Sequence, residues 1–372
     1  MLEPYQKLLQ RLRDDPEKWP ELAYAPEPHP EWTRVDANYV RRLGVLVCLQ
    51  YDRRPADHAL VRYLFEQEVL ARKDDPFQGD PTALHLGAFL LARYRQAGDV
   101  PLLWEAKRAN FDTWCGFDAL YLLAGDREAG LKWIASLPAD TAESIREVLG
   151  KAPEAVGPDE LEAWWRRKRE EYPEREQDED PHVLAQRAIT LGAIDEGRIW
   201  LDRWEAVQPG DSLSLRSLMY LRDALGQPAE ALRAAAKLRD LARGDEWHYA
   251  SSLLNLPRYL VRLQRHPEAW EVLEELRGLL KRHCDWMKVG LARTIAEASL
   301  DLAADEACPG PIRRAAWEQG HDLIVRGVQA PLVVLRKAAK AADLVGDGAL
   351  AAQYTERADR EHKRIYGTKD PE

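Results

Sequence analysis

The residues of this chain best suited to chemistry are an adjacent pair, His321-Asp322, with His283 before it and Asp343 and Asp347 after it. Imidazole and carboxylate groups gather a divalent metal, which lowers the pKa of bound water toward neutrality and so makes a nucleophile. The same pair also suits a polar helix face, because the dipeptide is common by chance. A second centre is the stretch from Asn110 to Asp118, dense in polar and aromatic side chains. Cys115 would serve there as a nucleophile with His85 or His58 beside it and its pKa lowered; otherwise it is a small buried hydrophobe. Trp114 and Asp118 are secondary candidates for an interface, since aromatics beside charges suit binding hot spots. Asn110 or Asp112 would cap the following helix. Asp74-Asp75 has the makings of a magnesium and diphosphate site, but Gln78 stands where a third acid is needed and Pro76 breaks the helix. A helix end followed by a turn explains the pair better. There is no glycine-rich phosphate loop, no dinucleotide fingerprint and no Gly-x-Ser-x-Gly elbow. The expectation is therefore no catalytic residues, no metal and no cofactor.

Elements with a helical period would have to position all of these side chains. Almost every apolar stretch follows that period and strand signals are nearly absent, which predicts an all-α fold. Tyr5, Leu8, Leu9 and Leu12 form one face of a first helix. Pro16 to Trp32 holds five prolines and should be an irregular wrap. Helices are expected over 35–50, 57–73, 81–97, 102–109, 110–124, 127–137, 141–149 and 159–169. The acidic, proline-flanked run 171–181 reads as a linker, dividing an N-terminal helical domain (1–170) from a second domain (182–372).

The second domain carries a repeat. Gly192 and Gly226 stand 34 residues apart, each between helical patterns, and Pro209 falls between them. Glycine just past a helix end takes the left-handed conformation that caps the last carbonyls. Asp195 is a good N-cap, and Pro228 suits the first turn of a helix. Small residues follow at Gly197 and Ala231, which lets two antiparallel helices approach closely. Pro267-Glu268-Ala269-Trp270 marks a further unit four residues out of step, 286–304 and 312–326 make another pair, and Gly346 with Ala351 marks the last. In the N-terminal half Gly98 and Gly125 are only 27 apart.

These units resemble the tetratricopeptide repeat, a 34-residue helix-turn-helix. The match covers Leu184, Ala185, Gly192, Glu196-Gly197 and Pro209, then Leu218, Gly226 and Glu230-Ala231. The aromatic of the family's first helix falls on Pro181 and Leu215, its tyrosine on Ala188 and Arg222, and its closing proline in the second unit on Arg243. The resemblance implies a right-handed α-solenoid whose first helices line a concave face. In that register the face holds His182, Gln186, Arg216, Tyr220 and Asp223, with Asn255 and Arg258 beyond. Arg216 and Tyr220 are the interface-enriched types among them. It further implies a non-enzymatic scaffold binding a protein or peptide, such as a bacterial inhibitor or immunity protein, or a regulator. Two alternatives remain open. His321-Asp322 resembles the metal-holding pair of the all-helical HD phosphohydrolases, which implies a metallohydrolase using His283, His321 and Asp322. The 13 tryptophans, among them Trp164/Trp165 and Trp200/Trp204, would suit a small-molecule pocket.

Bulk properties narrow the partners. Net charge is −10, with 53 Lys and Arg against 63 Asp and Glu interspersed. The one dense basic cluster, Arg166 to Arg169, is answered by Glu170-Glu171, which disfavours nucleic acid. The cysteines Cys48, Cys115, Cys284 and Cys308 form no CxxC pair, so neither metal cluster nor disulfide framework is expected. The charged N-terminus is no secretory signal and no apolar run reaches a membrane span. With 39 Arg against 14 Lys, the composition points to a bacterial, cytoplasmic chain.

Overall fold

The computed structural model describes residues 1–28, 34–74, 81–282, 286–288 and 290–366. The fold is all-α, apart from a short antiparallel ribbon in which Pro26–Pro28 pairs with Arg34–Asp36, Glu27 opposite Val35. Among the described residues no helix is long and apolar enough to cross a membrane. The chain divides into two compact units, Met1–Ala193 and Ile194–Glu372.

In the first unit, helices Glu3–Asp14 and Thr82–Ala92 both pack on Tyr39–Tyr51, and Thr82–Ala92 packs also on His58–Asp74. Ala83 to Ala92 is apolar on every side except for His85, and its residues are buried accordingly. The expected helix over 35–50 begins only at Tyr39, because Arg34–Asp36 forms the ribbon strand. The proline-rich wrap becomes a 3-10 turn, Pro16–Leu22, before that ribbon. The expected helix over 110–124 is broken into Phe111–Gly116 and Tyr121–Ala124. Lys107 is the physical cause: its ammonium donates to the carbonyls of Trp114 and Phe117, the latter at 2.6 Å, and so ends the first piece.

The acidic run is not a free linker. Tyr172 stacks on Phe89 with centroids 4.9 Å apart. Buried Glu179 accepts hydrogen bonds from Gln50 at 2.6 Å, the Tyr51 hydroxyl at 3.0 Å and Arg187 at 2.7 Å. These bonds place the run and helix Pro181–Thr190 in the first unit, so the division falls after Ala193 rather than at residues 171–181. An acidic composition could not show this, because the partners lie more than 120 residues earlier.

The second unit follows helix Ile194–Glu205 with four hairpins. They pair Ser212–Ala224 with Pro228–Leu241, Glu246–Leu253 and Leu256–Arg262 with His266–Leu280, Gly290–Ala303 with Gly310–Val325, and Leu332–Leu344 with Gly348–Tyr366. Helix Leu256–Arg262 packs on Gly290–Ala303, which packs on Leu332–Leu344, so the first helices of the last three hairpins stack on one another. Ala231 and Ala269 are fully buried at the hairpin seams.

Three of the four hairpin turns share one geometry, the turn between Gly290–Ala303 and Gly310–Val325 having no left-handed residue. Gly226 (φ 70°) and Gly346 (φ 84°) are left-handed, with amide bonds from Gln227 to the Arg222 carbonyl and from Asp347 to Ala342. Gly192 (φ 75°) closes helix Pro181–Thr190 in the same way. In the second hairpin this position is Gln264 (φ 60°), with Arg265 donating to Leu260. That explains why the unit carries no glycine signal. A side chain in the left-handed region costs roughly 1–2 kcal/mol, partly offset by glycine's greater freedom when unfolded. Gln264→Gly should therefore stabilise the protein by about 0.5–1 kcal/mol in urea unfolding; no gain would mean that the Gln264 side chain holds the turn.

Candidate functional site

The left-handed turn residues give a common count. Ten and six residues before Gly226 stand Arg216 and Tyr220; before Gln264, Leu254 and Arg258; before Gly346, Arg336 and Lys340. All but Leu254, which lies in the break between Glu246–Leu253 and Leu256–Arg262, stand on helices, and all six open onto hollows that run into one another. The first, about 600 Å³, is lined by Arg216, Tyr220, Leu238, Leu241, His248 and Leu254, among others. The second, about 250 Å³, shares Tyr220, Leu254, Asn255 and Thr294 with it and adds Arg258, Glu297 and Asp301. The third, about 660 Å³, shares Val261 and Asp301 with the second and adds Arg336, Lys337 and Lys340. Together they form a groove in the second unit.

Local chemistry fixes the groove's side chains. Lys337 donates to Glu297 at 2.8 Å and Asp301 at 2.9 Å. Burial works against its ammonium, but those two bonds outweigh it and hold the pKa above the usual lysine value. Asp245 caps helix Glu246–Leu253 by accepting from the His248 amide at 2.9 Å, which holds its carboxyl below the usual range. Tyr220 is 55% exposed and Leu241 60%, so the first hollow has an open apolar lip.

Of the residues expected on a concave face, Arg216, Tyr220, Asn255 and Arg258 line this groove. Asp223 does not line these hollows; its side chain, 8% exposed, is held by Arg258 at 2.7 Å and by Arg262. His182 and Gln186 stand on helix Pro181–Thr190 of the first unit, half-buried and exposed respectively. Arg222, where the family has a packing tyrosine, is buried and pairs with Asp202 at 2.7 Å and with Glu205. Sequence reasoning missed Arg336 and Lys340. The signal was present, since they precede Gly346 by the same ten and six residues as Arg216 and Tyr220 precede Gly226.

The stretch from Asn110 to Asp118 borders a separate open cleft of about 600 Å³ in the first unit, lined by His85, Lys107, Cys115, Asp118, Lys168 and Glu171 among others. Asp118 is committed to packing: it accepts from the Trp164 indole at 2.6 Å and caps Leu120 at 3.0 Å. Trp114 packs edge-on against Trp104, centroids 6.0 Å apart. His58 bonds Asp99 at 2.8 Å, and Cys115 lies exposed in the cleft together with His85. Burial, then the nearby Lys168 charge, lowers the His85 pKa from 6.5. Above 6.5 the ring is neutral folded and unfolded and contributes nothing. Below it the unfolded chain takes the proton first, so stability falls as pH drops through that window. His85→Phe should flatten this part of a Tm-against-pH profile; an unchanged profile would refute the shift.

Among the described residues His321 faces no metal-like cluster. Its Nδ1 lies 2.8 Å from the Tyr354 hydroxyl and its ring stacks on Trp317 at 5.0 Å, while Asp322 pairs with Arg326 at 2.8 Å. Asp347 caps Leu350 at 3.0 Å. Among the described residues no three His, Cys, Asp or Glu side chains gather as a metal would require; His283, Cys284, Asp75, Gln78 and Asp80 lie outside the described residues. Trp164 and Trp165 are buried against each other, 4.9 Å apart, and no tryptophan lines the hollows above. Cys48 is buried, which pushes its thiol up to about 12. Compared with known proteins, the chain matches no family model and no curated protein sequence.

Proposed function

We propose that the second unit is a tetratricopeptide-like, right-handed stack that acts without catalysis as a docking scaffold for a protein or peptide in a bacterial cytoplasm, as an inhibitor, immunity protein or regulator would. The observation that carries this reading is the recurrence of the ten-and-six positions before the left-handed turns of the first, second and fourth hairpins, all lining linked hollows. Stacked hairpins present extended surfaces of this kind, and an extended surface suits a chain-like ligand more than a compact one. The open apolar lip at Tyr220 and Leu241 beside Arg216 has the composition of an interface hot spot.

The double variant Arg216→Ala, Tyr220→Ala tests the reading, because both side chains are exposed and their loss should leave the fold intact. Hot-spot truncations cost at least about 2 kcal/mol each, close to thirtyfold in affinity. Affinity capture from the native cell, quantified side by side for wild type and variant, should show a protein recovered by the first and lost with the second. Equal recovery of every captured protein, with circular dichroism unchanged, would place the docking surface elsewhere.

A further inference from the structure

We infer that the segment seated in this groove is an acidic, extended polypeptide with an apolar anchor beside one acid and a second acid at least about eight residues away. The inference rests on the groove being the docking site and specifies what it takes.

Charge accounting along the hollows points to an anionic ligand. Every acid on the groove wall is already answered from within the unit. Asp245 caps its helix, Glu297 and Asp301 hold Lys337, Asp305 holds His266 at 2.9 Å, and Glu306 holds Lys340 at 3.4 Å. The cations are not all answered. Arg258 is paired with Asp223, but Arg216 and Arg336, both exposed, make no hydrogen bond or ion pair among the described residues. A basic ligand would face these two charges with no free acid to meet it, whereas carboxylates would meet both, each able to accept two parallel bonds from a guanidinium.

Position adds the spacing and the anchor. Arg216 is on the first helix of the first hairpin and Arg336 on that of the fourth, three steps away. Packed helices lie about 8–10 Å apart; the first helices of the second to fourth hairpins pack in succession, while that of the first faces them across the first hollow, so the span is at least roughly 24–30 Å, which an extended chain at about 3.3–3.6 Å per residue crosses in about eight residues or more. Beside Arg216 the wall is apolar, formed by Leu238, Leu241, Leu254 and the Tyr220 ring. An aliphatic or aromatic side chain fits there next to the first acid. Nucleic acid would also meet the arginines, but the chain's net charge of −10 and the aliphatic wall argue for a peptide.

A phage library of random 16-residue peptides, panned on the full-length protein, tests this. Enriched peptides should carry two acids at least about eight residues apart with an apolar residue beside one. They should bind wild type at least tenfold tighter than Arg336→Glu or Arg216→Glu, and weaken as salt rises. Exchanging both acids for lysine should abolish wild-type binding and restore it to Arg216→Glu, Arg336→Glu. Peptides that depend on Tyr220 yet show no acidic preference would overturn the inference and leave the groove standing. Peptides indifferent to Tyr220→Ala, or no enrichment at all, would overturn the groove reading as well. Tighter, arginine-dependent binding of a single-stranded oligonucleotide would replace the acidic peptide with a phosphate chain.

Discussion

Arg42→Met is expected to lower the stability of the first unit by about 3–5 kcal/mol or more, enough to leave much of it unfolded at physiological temperature. Arg42 is fully buried, and its guanidinium serves two acids at once: Nε donates to Glu68 at 2.7 Å and Nη2 to Asp36. Nη1 reaches the Leu22 carbonyl at 3.2 Å, tying down the end of the proline-rich turn. Burial alone pushes the Glu68 carboxyl up, and Arg42 is the main opposing influence. Without the arginine, two carboxylates with side chains 3% and 1% exposed would face each other unpaired. The geometry makes a sharper claim than a general loss of stability. Because the damage is the stranded charge and not the missing volume, Arg42→Met with Glu68→Leu should recover part of the loss. Urea unfolding of the three variants, Glu68→Leu alone included, decides it; a double variant as unstable as the sum of its singles would show that the pair does not couple.

The second large effect is Arg187→Met, again about 3–5 kcal/mol. Arg187 donates to Glu179 at 2.7 Å, to the Gln50 side-chain carbonyl at 2.9 Å and to the Tyr51 hydroxyl at 2.7 Å. Its side chain is 3% exposed and that of Glu179 1%. Glu179 keeps hydrogen bonds from Gln50 and Tyr51 when the arginine is gone, but no charge to balance it. Here the loss should be local first, releasing residues 171–193 from the rest of the unit. Limited proteolysis should then cut within the acidic run of the variant and spare it in the wild type. If the variant resists as well, the network does not hold this segment.

These two networks mark where the sequence was legible and where it was not. Helix existence was readable nearly everywhere, since period and caps are local: Gly192 and Gly226 take the left-handed turn that their position between apolar patterns required. The hairpin at Gln264 was harder to place, because a non-glycine turn residue carries the same backbone without the usual mark. The repeat resemblance named Arg216, Tyr220, Asn255 and Arg258, which line the linked hollows, together with Asp223, His182 and Gln186, which do not. Arg336 and Lys340 needed the register carried two hairpins further. Asp118 looked like an exposed recognition residue until the Trp164 indole, 46 residues on, claimed it.

The sequence by itself determined the all-α character and the repeat of helix, capping turn and helix, because helical period and capping depend on residues within a few positions of one another. Only the tertiary structure decided that the acidic run belongs to the first unit, that Asp223 is tied to Arg258 and Arg262 while Arg216 has no partner among the described residues, and that His321 meets a tyrosine. Each of those outcomes turns on which charged or polar side chains are brought together from distant parts of the chain. Burial makes such pairings strong, and composition cannot reveal them.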